Sequence, residues 1–373
     1  MLCAFALWRK GTNIKERKFP KIERNIFMRK IKWGVIGCGG IADRRTLPGM
    51  MLSDIAELVA VMDVNPDFAE KCKEKYGAKY AFTTHEELLA IDEIEAVYIA
   101  SPVFCHKEQA LAAAKAGKHI LLEKPMGLTV ADSEEIIAAC DAAGVKLGVG
   151  FMMRFHAYHQ AMKQLIADGK IGDIVSMRAQ FSCWYPEMAN CWRQDKKLSG
   201  GGALMDLGIH CIDLLQYISG LEAVECFGFA QNQTFNYSAD DSANVIMKMS
   251  NGALAYVDVN FNIPDAAGSA PLEFYGTKGS IIASGTLSQV MSGSVKVLAC
   301  PEVKGYDAQQ DHNLVEPIEL TIEEGNMYTL ELDAFANAII NDTEPPVSGK
   351  GTLSVQKIIE SVYTSNGSVA KIK

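Results

Sequence analysis

The sequence predicts an α/β chain of two domains: a parallel sheet covered by helices on both faces, then an α+β domain with a mainly antiparallel open sheet. Three observations carry this. Over residues 30–150, continuous apolar β-branched runs alternate with Ala-rich helical stretches. Beyond 150, hairpin signals replace that rhythm, and 373 residues exceed what one hydrophobic core usually organises. The predicted boundaries are an N-terminal extension over 1–29, a first domain over 30–150 and a second over 151–373.

The extension begins "MLCAFALWRK", whose charges follow its apolar run and which no small-residue cleavage site follows, so it does not read as a signal peptide. Basic and unpatterned up to Phe27, it reads as a disordered extension or as a start assigned upstream of Met28. The strands of the first domain are "IKWGVIG", "AELVAVMDV", "EAVYIAS", "KHILLEK" and "VKLGVGF". Between them "THEE" from Thr84 forms a capping box, and "HKEQALAAAKAG" is a helix closed by glycine. In the second domain a helix spans His156 to Asp168, followed by the strand "DIVSMRAQFSCW" and the apolar helix of "SGGGALMDLGIHCIDLL". "ANVIMKMSNGALAYVDVNF" is a hairpin turning at Asn251-Gly252, and "LEFYGTKGSIIASG" is a second hairpin. A late helix, "MYTLELDAFANAII", stops before "EPP".

A net charge of −9 argues against nucleic acid or an anionic membrane surface as partner, and no run of about eighteen apolar residues suggests a membrane span. Ten cysteines without a CxxC pair read as reduced thiols of a cytoplasmic protein. His156 and His159 lack a matching carboxylate or Cys motif, so no metal site is expected.

The first strand runs into Gly37-Cys38-Gly39-Gly40-Ile41-Ala42, a GxGxxA sequence opening a helix. Its first glycine permits the tight turn, its second lets backbone amides approach a pyrophosphate, and Ala42 lets the helix pack on the strand. Asp63, ending the second strand, suits the ribose hydroxyls and repels a 2′-phosphate, which favours NAD; Arg44 and Arg45 keep NADP open. In the apolar helix, Asp206, His210, Asp213 and Tyr217 form a polar stripe. A carboxylate one turn from an imidazole can orient it, and His210 can take a proton from an alcohol. Gly200, Gly201 and Gly202 would let the backbone approach a ligand, and Gly208 thins the helix beside His210. The alternative is a satisfied buried His–Asp network. "SPVFCH" and "LLEKP" lie at strand ends where α/β ligands bind, and Lys124 at such an edge could stabilise an alkoxide.

Together "GVIGCGGIA", "ASPVFCH", "AGKHILLEKP", "WRQDKKLSGGGALMDLGIHCIDLL", "EFYGTKGSI" and "NMYTLELDAFANAI" resemble the Gfo/Idh/MocA family of dinucleotide-dependent oxidoreductases, over nearly everything after Met28. The resemblance implies a Rossmann domain followed by an α/β domain whose open sheet forms a homodimer or homotetramer interface. It implies catalytic roles for Lys124 of the EKP motif and for Asp206 and His210 of the DxGxH motif, with Asp206 holding the imidazole. It further implies cofactor contacts at Ser101, Pro102, His106, Glu123, Lys124, Trp192, Arg193 and Tyr328. Arg154 and Tyr185 are candidate substrate contacts beside Asp206 and His210. The expected function is an NAD(P)-dependent dehydrogenase acting on a secondary alcohol of a sugar, cyclitol or glycoside. The alternatives are a glycosidase that retains NAD and oxidises its substrate transiently, and a sugar or dinucleotide sensor; the set Lys124, Asp206 and His210 counts against the sensor.

Overall fold

The computed structural model describes residues 29–372, apart from positions 301, 303, 304, 307, 310–314, 324 and 366. The expected N-terminal extension, but for Arg29, lies outside the described residues.

Six strands, β1 (Ile31–Ile36), β2 (Ala56–Met62), β3 (Tyr80–Phe82), β4 (Ala96–Ile99), β5 (His119–Glu123) and β6 (Leu147–Gly150), form a sheet in the order β3-β2-β1-β4-β5-β6. Every pair is parallel. The order reverses between β1 and β4, and a crevice at the carboxyl ends of these two strands is where such sheets take ligands. Five of the six strands are legible as apolar runs; β3 is three half-buried residues at the sheet edge, too short to show a period.

Three of the connecting helices start at side-chain caps. Asn65 accepts from Asp67 N–H ahead of α2 (Pro66–Tyr76), after a first helix, α1 (Leu47–Met50). The box of Thr84 and Glu87 opens α3 (His85–Leu89). Next come α4 (Val103–Lys115) and α5 (Val130–Ala143), the latter capped by Thr129 and ended by a left-handed Gly144. One sheet face buries Ile36, Val97, Ile99 and Leu122, while the other buries Trp33, Val35 and Tyr98.

Among the described residues, the second sheet has nine strands. They are β7 (Ile174–Ser182), β8 (Ala223–Gln231), β9 (Ser242–Met249), β10 (Leu254–Asn260), β11 (Pro271–Gly276), β12 (Gly279–Ser284), β13 (Ser294–Ala299), β14 (Ile318–Glu319) and β15 (Ala370–Lys371). Their order is β14-β13-β12-β11-β7-β10-β9-β8-β15. The β7–β10 pair is parallel and the other seven are antiparallel. Gly252, at φ 89°, makes the tight β9–β10 turn.

Among the described residues, five more helices follow: α6 (Ala157–Ala167), α7 (Lys196–Ser199), α8 (Ile209–Ser219), α9 (Met327–Ile340) and α10 (Gly349–Ser365). Helix α8 lies between β7 and α6, and α10 packs on β8. Segment Lys196–Ser219 has the length and apolarity of a membrane span, but 83% of its apolar window is buried inside the fold, as in a core helix. Fully burying an aliphatic side chain contributes about 1.5–3 kcal/mol, and α8 buries Ile209, Ile212, Leu214, Leu215 and Ile218. Helix α9 returns to the first sheet, where Leu332, Phe335 and Ala336 join Trp33 and Tyr98 in one core.

Candidate active site

The glycine loop sits at the carboxyl end of β1. Gly37 has φ 94°, and a Cβ there would stand 2.8 Å from Ser101 N, so only glycine fits the turn. Gly39 and Gly40 are different: a Cβ on either would meet nothing within 4 Å. That open space faces the start of the helix, whose first N–H groups have no intrahelical partners, and so fits a pyrophosphate. Ala42 is fully buried and Ile41 packs against the core. The helix continues through a π-helical turn, Ala42–Thr46, into α1. Asp63 Oδ2 accepts from Cys38 N–H at 2.9 Å and Oδ1 from Asn65 N–H at 2.9 Å. The carboxylate therefore ties the glycine loop to the end of β2 and keeps lone pairs for ribose hydroxyls. Arg44 is exposed, while Arg45 Nε donates to Gln289 at 3.4 Å.

Two further loops meet this one. Ser101 Oγ hydrogen-bonds Gln109, and Pro102 occupies the N-cap position of α4. His106, 1% exposed, spans from the Ser101 carbonyl (3.0 Å) to the Pro125 carbonyl (2.9 Å). Burial lowers its pKa to about 4, so the ring is neutral and its single N–H donates to one of these two carbonyls. Glu123 is buried too. It accepts from the Tyr98 hydroxyl at 2.5 Å, itself bonded to Thr46 at 2.9 Å, and from Lys124 N–H at 3.2 Å. Tyr328, at the start of α9, is 2% exposed, and a Cβ on Gly49 would lie 2.9 Å from its own Cβ. It thus lies beneath α1.

The glycine run before α8 serves the fold, not a ligand. A Cβ on Gly201 would stand 2.0 Å from the Tyr363 hydroxyl, and one on Gly202 1.8 Å from the Asp240 carbonyl. Asp240 receives Gly202 N–H at 2.7 Å, Leu204 N–H at 2.9 Å and the Tyr363 hydroxyl at 2.7 Å. The expectation of close ligand approach is corrected: a distant carboxylate anchors the helix start, and only glycine lets it come near. Gly208 likewise faces Leu204 and Val259. Neither Asp240 nor Tyr363 is singled out by the sequence, because each acts from a separate element. Helix α10, which carries Tyr363, is signalled only by Val355, Ile358, Ile359 and Val362 at helical spacing.

Leu204–Gly208 is a π-helical turn running into α8. Wide turns of this kind recur at functional sites. It presents Asp206 to Lys124, whose Nζ donates to the carboxylate Oδ1 at 2.7 Å and to the Asp206 main-chain carbonyl at 2.9 Å. Burial would raise the Asp206 pKa, but Lys124 and Arg193 override it and hold the carboxyl well below its ordinary range. His210 is 4% exposed, its ring is edge-on to Phe151 at 6.1 Å, and its Nδ1 has no hydrogen-bond partner among the described residues. Burial, then Lys124, push its pKa well down, so the imidazole is neutral. The expected Asp206–imidazole hydrogen bond is replaced by an Asp206–Lys124 pair, since the wide turn aims the carboxylate at β5.

The polar stripe divides after His210. Asp213 is held by Arg154, with Nε at 3.1 and 3.0 Å and Nη2 at 2.5 Å, and the guanidinium also lies 4.8 Å from the Tyr217 ring. Arg154 is thereby committed to a buried partner, as a strut between the Met152–Phe155 turn and α8. Tyr185 packs against Phe261, the rings tilted by 35° with centroids 4.8 Å apart, and its hydroxyl meets Cys191 Sγ at 3.2 Å. Arg193 stacks on Trp192, 4.4 Å from the ring.

Residues 31–151 match the model of an oxidoreductase family described as an NAD-binding Rossmann fold, and 159–282 match the GFO/IDH/MocA C-terminal domain. The chain is 28% identical over 320 residues to 1,5-anhydro-D-fructose reductase of Ensifer adhaerens, covering 86% of this chain and 91% of that protein. It is 32% identical over 254 residues to myo-inositol 2-dehydrogenase of Thermotoga maritima, covering 67% and 74%. Its fold matches aldose-aldose oxidoreductase from Caulobacter crescentus, solved with glycerol, at a TM-score of 0.82 and 26% identity, over 92% of this chain and 100% of that one. The glycine loop, the paired domains and these likenesses agree: the chain belongs to the Gfo/Idh/MocA family of NAD(P)-dependent oxidoreductases.

Proposed function

We propose that the protein is an NAD-dependent dehydrogenase that oxidises a secondary alcohol of a sugar, cyclitol or glycoside, with Lys124, Asp206 and His210 as its catalytic residues. The Lys124 ammonium carries this reading. Two of its three N–H donors are taken by Asp206, which fixes its direction and leaves the third for a substrate oxygen. Neutral His210 accepts the hydroxyl proton, and Lys124 stabilises the negative charge that develops on oxygen as the carbon becomes a carbonyl. Asp206 holds Lys124 in place and balances its charge. The dinucleotide, when bound, supplies the hydride acceptor. Reduction runs through the same groups in reverse.

The glycine loop, with Ser101, Pro102, Glu123, Trp192 and Arg193, is the proposed cofactor pocket. Asp63 supports NAD over NADP, because a carboxylate repels a 2′-phosphate. The relatives that act on anhydrofructose and inositol support a polyhydroxylated substrate. Val175, Phe229, Ile246, Leu254 and Tyr256 on the outer face of the second sheet are exposed, which supports a homodimer or homotetramer.

The test uses Lys124→Ala and His210→Ala. Turnover is expected to fall by about a thousandfold or more in each, with dinucleotide affinity within about threefold of the parent protein. Loss of dinucleotide binding in both variants would remove these assignments.

A further inference from the structure

The imidazole of His210 lacks the hydrogen bond that ordinarily orients a base histidine. In such residues the second ring nitrogen bonds a carboxylate or a carbonyl, which sets both the tautomer and the direction of the ring. Here Asp206 is turned to Lys124, and Nδ1 of His210 is buried without a partner among the described residues. Its direction is therefore left to packing, and the ring that packs against it is Phe151, edge-to-face at 87° with centroids 6.1 Å apart. Phe151 follows β6 directly, is buried, and donates its N–H to the Val149 carbonyl at 2.8 Å. Its own carbonyl receives the Arg154 N–H at 3.0 Å, which closes a turn and leaves the Arg154 guanidinium 5.9 Å from the Phe151 ring.

That guanidinium is fixed in turn. It forks onto Asp213 through Nε at 3.0 Å and Nη2 at 2.5 Å, and it lies 4.8 Å from the ring of Tyr217, whose hydroxyl receives Gln160 Nε2 at 2.8 Å. Asp213 stands one turn beyond His210 on α8. One ion pair thus holds both the helix that carries the imidazole and the ring the imidazole stands against. Stability alone does not call for it, because a buried ion pair contributes little over apolar side chains of the same volume. A planar fork does fix direction, which an apolar contact does not. We propose that Phe151 is the positioning residue of His210 and that the Arg154–Asp213 pair acts through it, so that aromatic packing replaces the carboxylate–imidazole hydrogen bond. This rests on the reading of His210 as the base of a dehydrogenase. An error of about 1 Å in placing a reacting group can cost about a hundredfold in rate, so the wall behind the imidazole bears on proton transfer and not on cofactor binding.

The test compares the full-length parent protein with Phe151→Leu and with the double variant Arg154→Met, Asp213→Leu. The first removes the ring and keeps apolar bulk; the second replaces the ion pair with apolar side chains of similar volume, so that folding is kept. In crystal structures of both variants the imidazole is expected to be turned by about 30° or more from its direction in the parent, or split between two directions. NAD with myo-inositol, D-glucose or methyl β-glucoside serves as the probe of turnover. The turnover number is expected to fall about tenfold in Phe151→Leu and about fivefold in the double variant, with KM for NAD within about twofold of the parent. The solvent deuterium isotope effect on turnover is expected to rise about twofold in both, because proton transfer to a misplaced base then limits the rate. That ratio is read only from molecules that react, so a loss of folded protein leaves it unchanged. An imidazole in its parent direction in both variants, or a lower turnover number with an unchanged isotope effect, overturns the proposal. A turned imidazole in a protein that transfers no hydride from any probe keeps the positioning and removes the dehydrogenase reading. Hydride transfer that is unaltered in both variants does the opposite.

Discussion

Lys124 reaches across from the end of β5 to grip Asp206 twice, at the carboxylate (2.7 Å) and at the main-chain carbonyl (2.9 Å). The aspartate is therefore the lysine's partner. The imidazole of His210, four residues on, stays neutral in a buried position, with Nδ1 unpaired among the described residues.

Asp206→Asn removes the charge that balances Lys124 while keeping the size of the side chain. The turnover number is expected to fall by about a hundredfold, with KM for the dinucleotide little changed. Steady-state kinetics with saturating cofactor check this; an unchanged turnover number would separate Asp206 from the chemistry.

His210 determines the acid side of the pH profile. Its pKa is pushed well below the ordinary histidine value, so the base form persists as pH falls. The rate of alcohol oxidation is expected to show no loss of a base with a pKa near 6.5 between pH 8 and pH 6. A rate–pH profile with a break in that interval would show an ordinary histidine acting as the base.

Buried neutral histidines also make stability depend on pH. The folded pKa of His106 is lowered to about 4, from 6.5, by burial. The unfolded chain then binds the proton more readily, so stability declines as pH falls through 6.5 and goes on falling toward 4. By pH 5 the loss is roughly 2 kcal/mol for this one residue. His159, buried and lowered to about 3, adds in the same direction. Urea unfolding midpoints at pH 7, 6 and 5 measure it, and a midpoint independent of pH would contradict it.

Gly202→Ala places a methyl group where the Asp240 carbonyl already stands, 1.8 Å away. Destabilisation on the order of 3 kcal/mol is expected, visible as a lowered Tm or as insoluble protein. If the glycine run existed to admit a ligand, the variant would instead keep its Tm and lose only binding.

Much of this was legible in the sequence because it is local. The box at Thr84 and Glu87, the Asn251-Gly252 turn and the bounds of α9 each depend on residues a few positions apart. The GxGxxA loop is equally local: Gly37 has the strained φ the motif implies, and Gly39 and Gly40 border open space. What escaped depends on partners far along the chain. Gly201 and Gly202 answer to Tyr363 and Asp240, and Arg154 is taken up by Asp213. The partner of Asp206 turned on a π-helical turn, which shifts side-chain directions without changing the hydrophobic pattern.

Asp63 tests the cofactor choice. Asp63→Ala removes both the proposed ribose acceptor and the tie to Cys38 N–H, so affinity for both dinucleotides is expected to fall. NAD should lose about tenfold more than NADP, because the repulsion of a 2′-phosphate disappears as well. Fluorescence titration with the two reduced dinucleotides measures the ratio, and equal losses would leave Asp63 a structural tie only.

The central claim is hydride transfer from a sugar alcohol, and absorbance in the reduced-nicotinamide band tests it most directly. Purified protein with NAD is offered a panel of sugars, inositols and aryl and alkyl glycosides, with product analysis alongside. A sustained rise with at least one of them, stoichiometric with a keto product and absent in His210→Ala, is the expected result. Cleavage of a glycoside with no net rise in absorbance would contradict it.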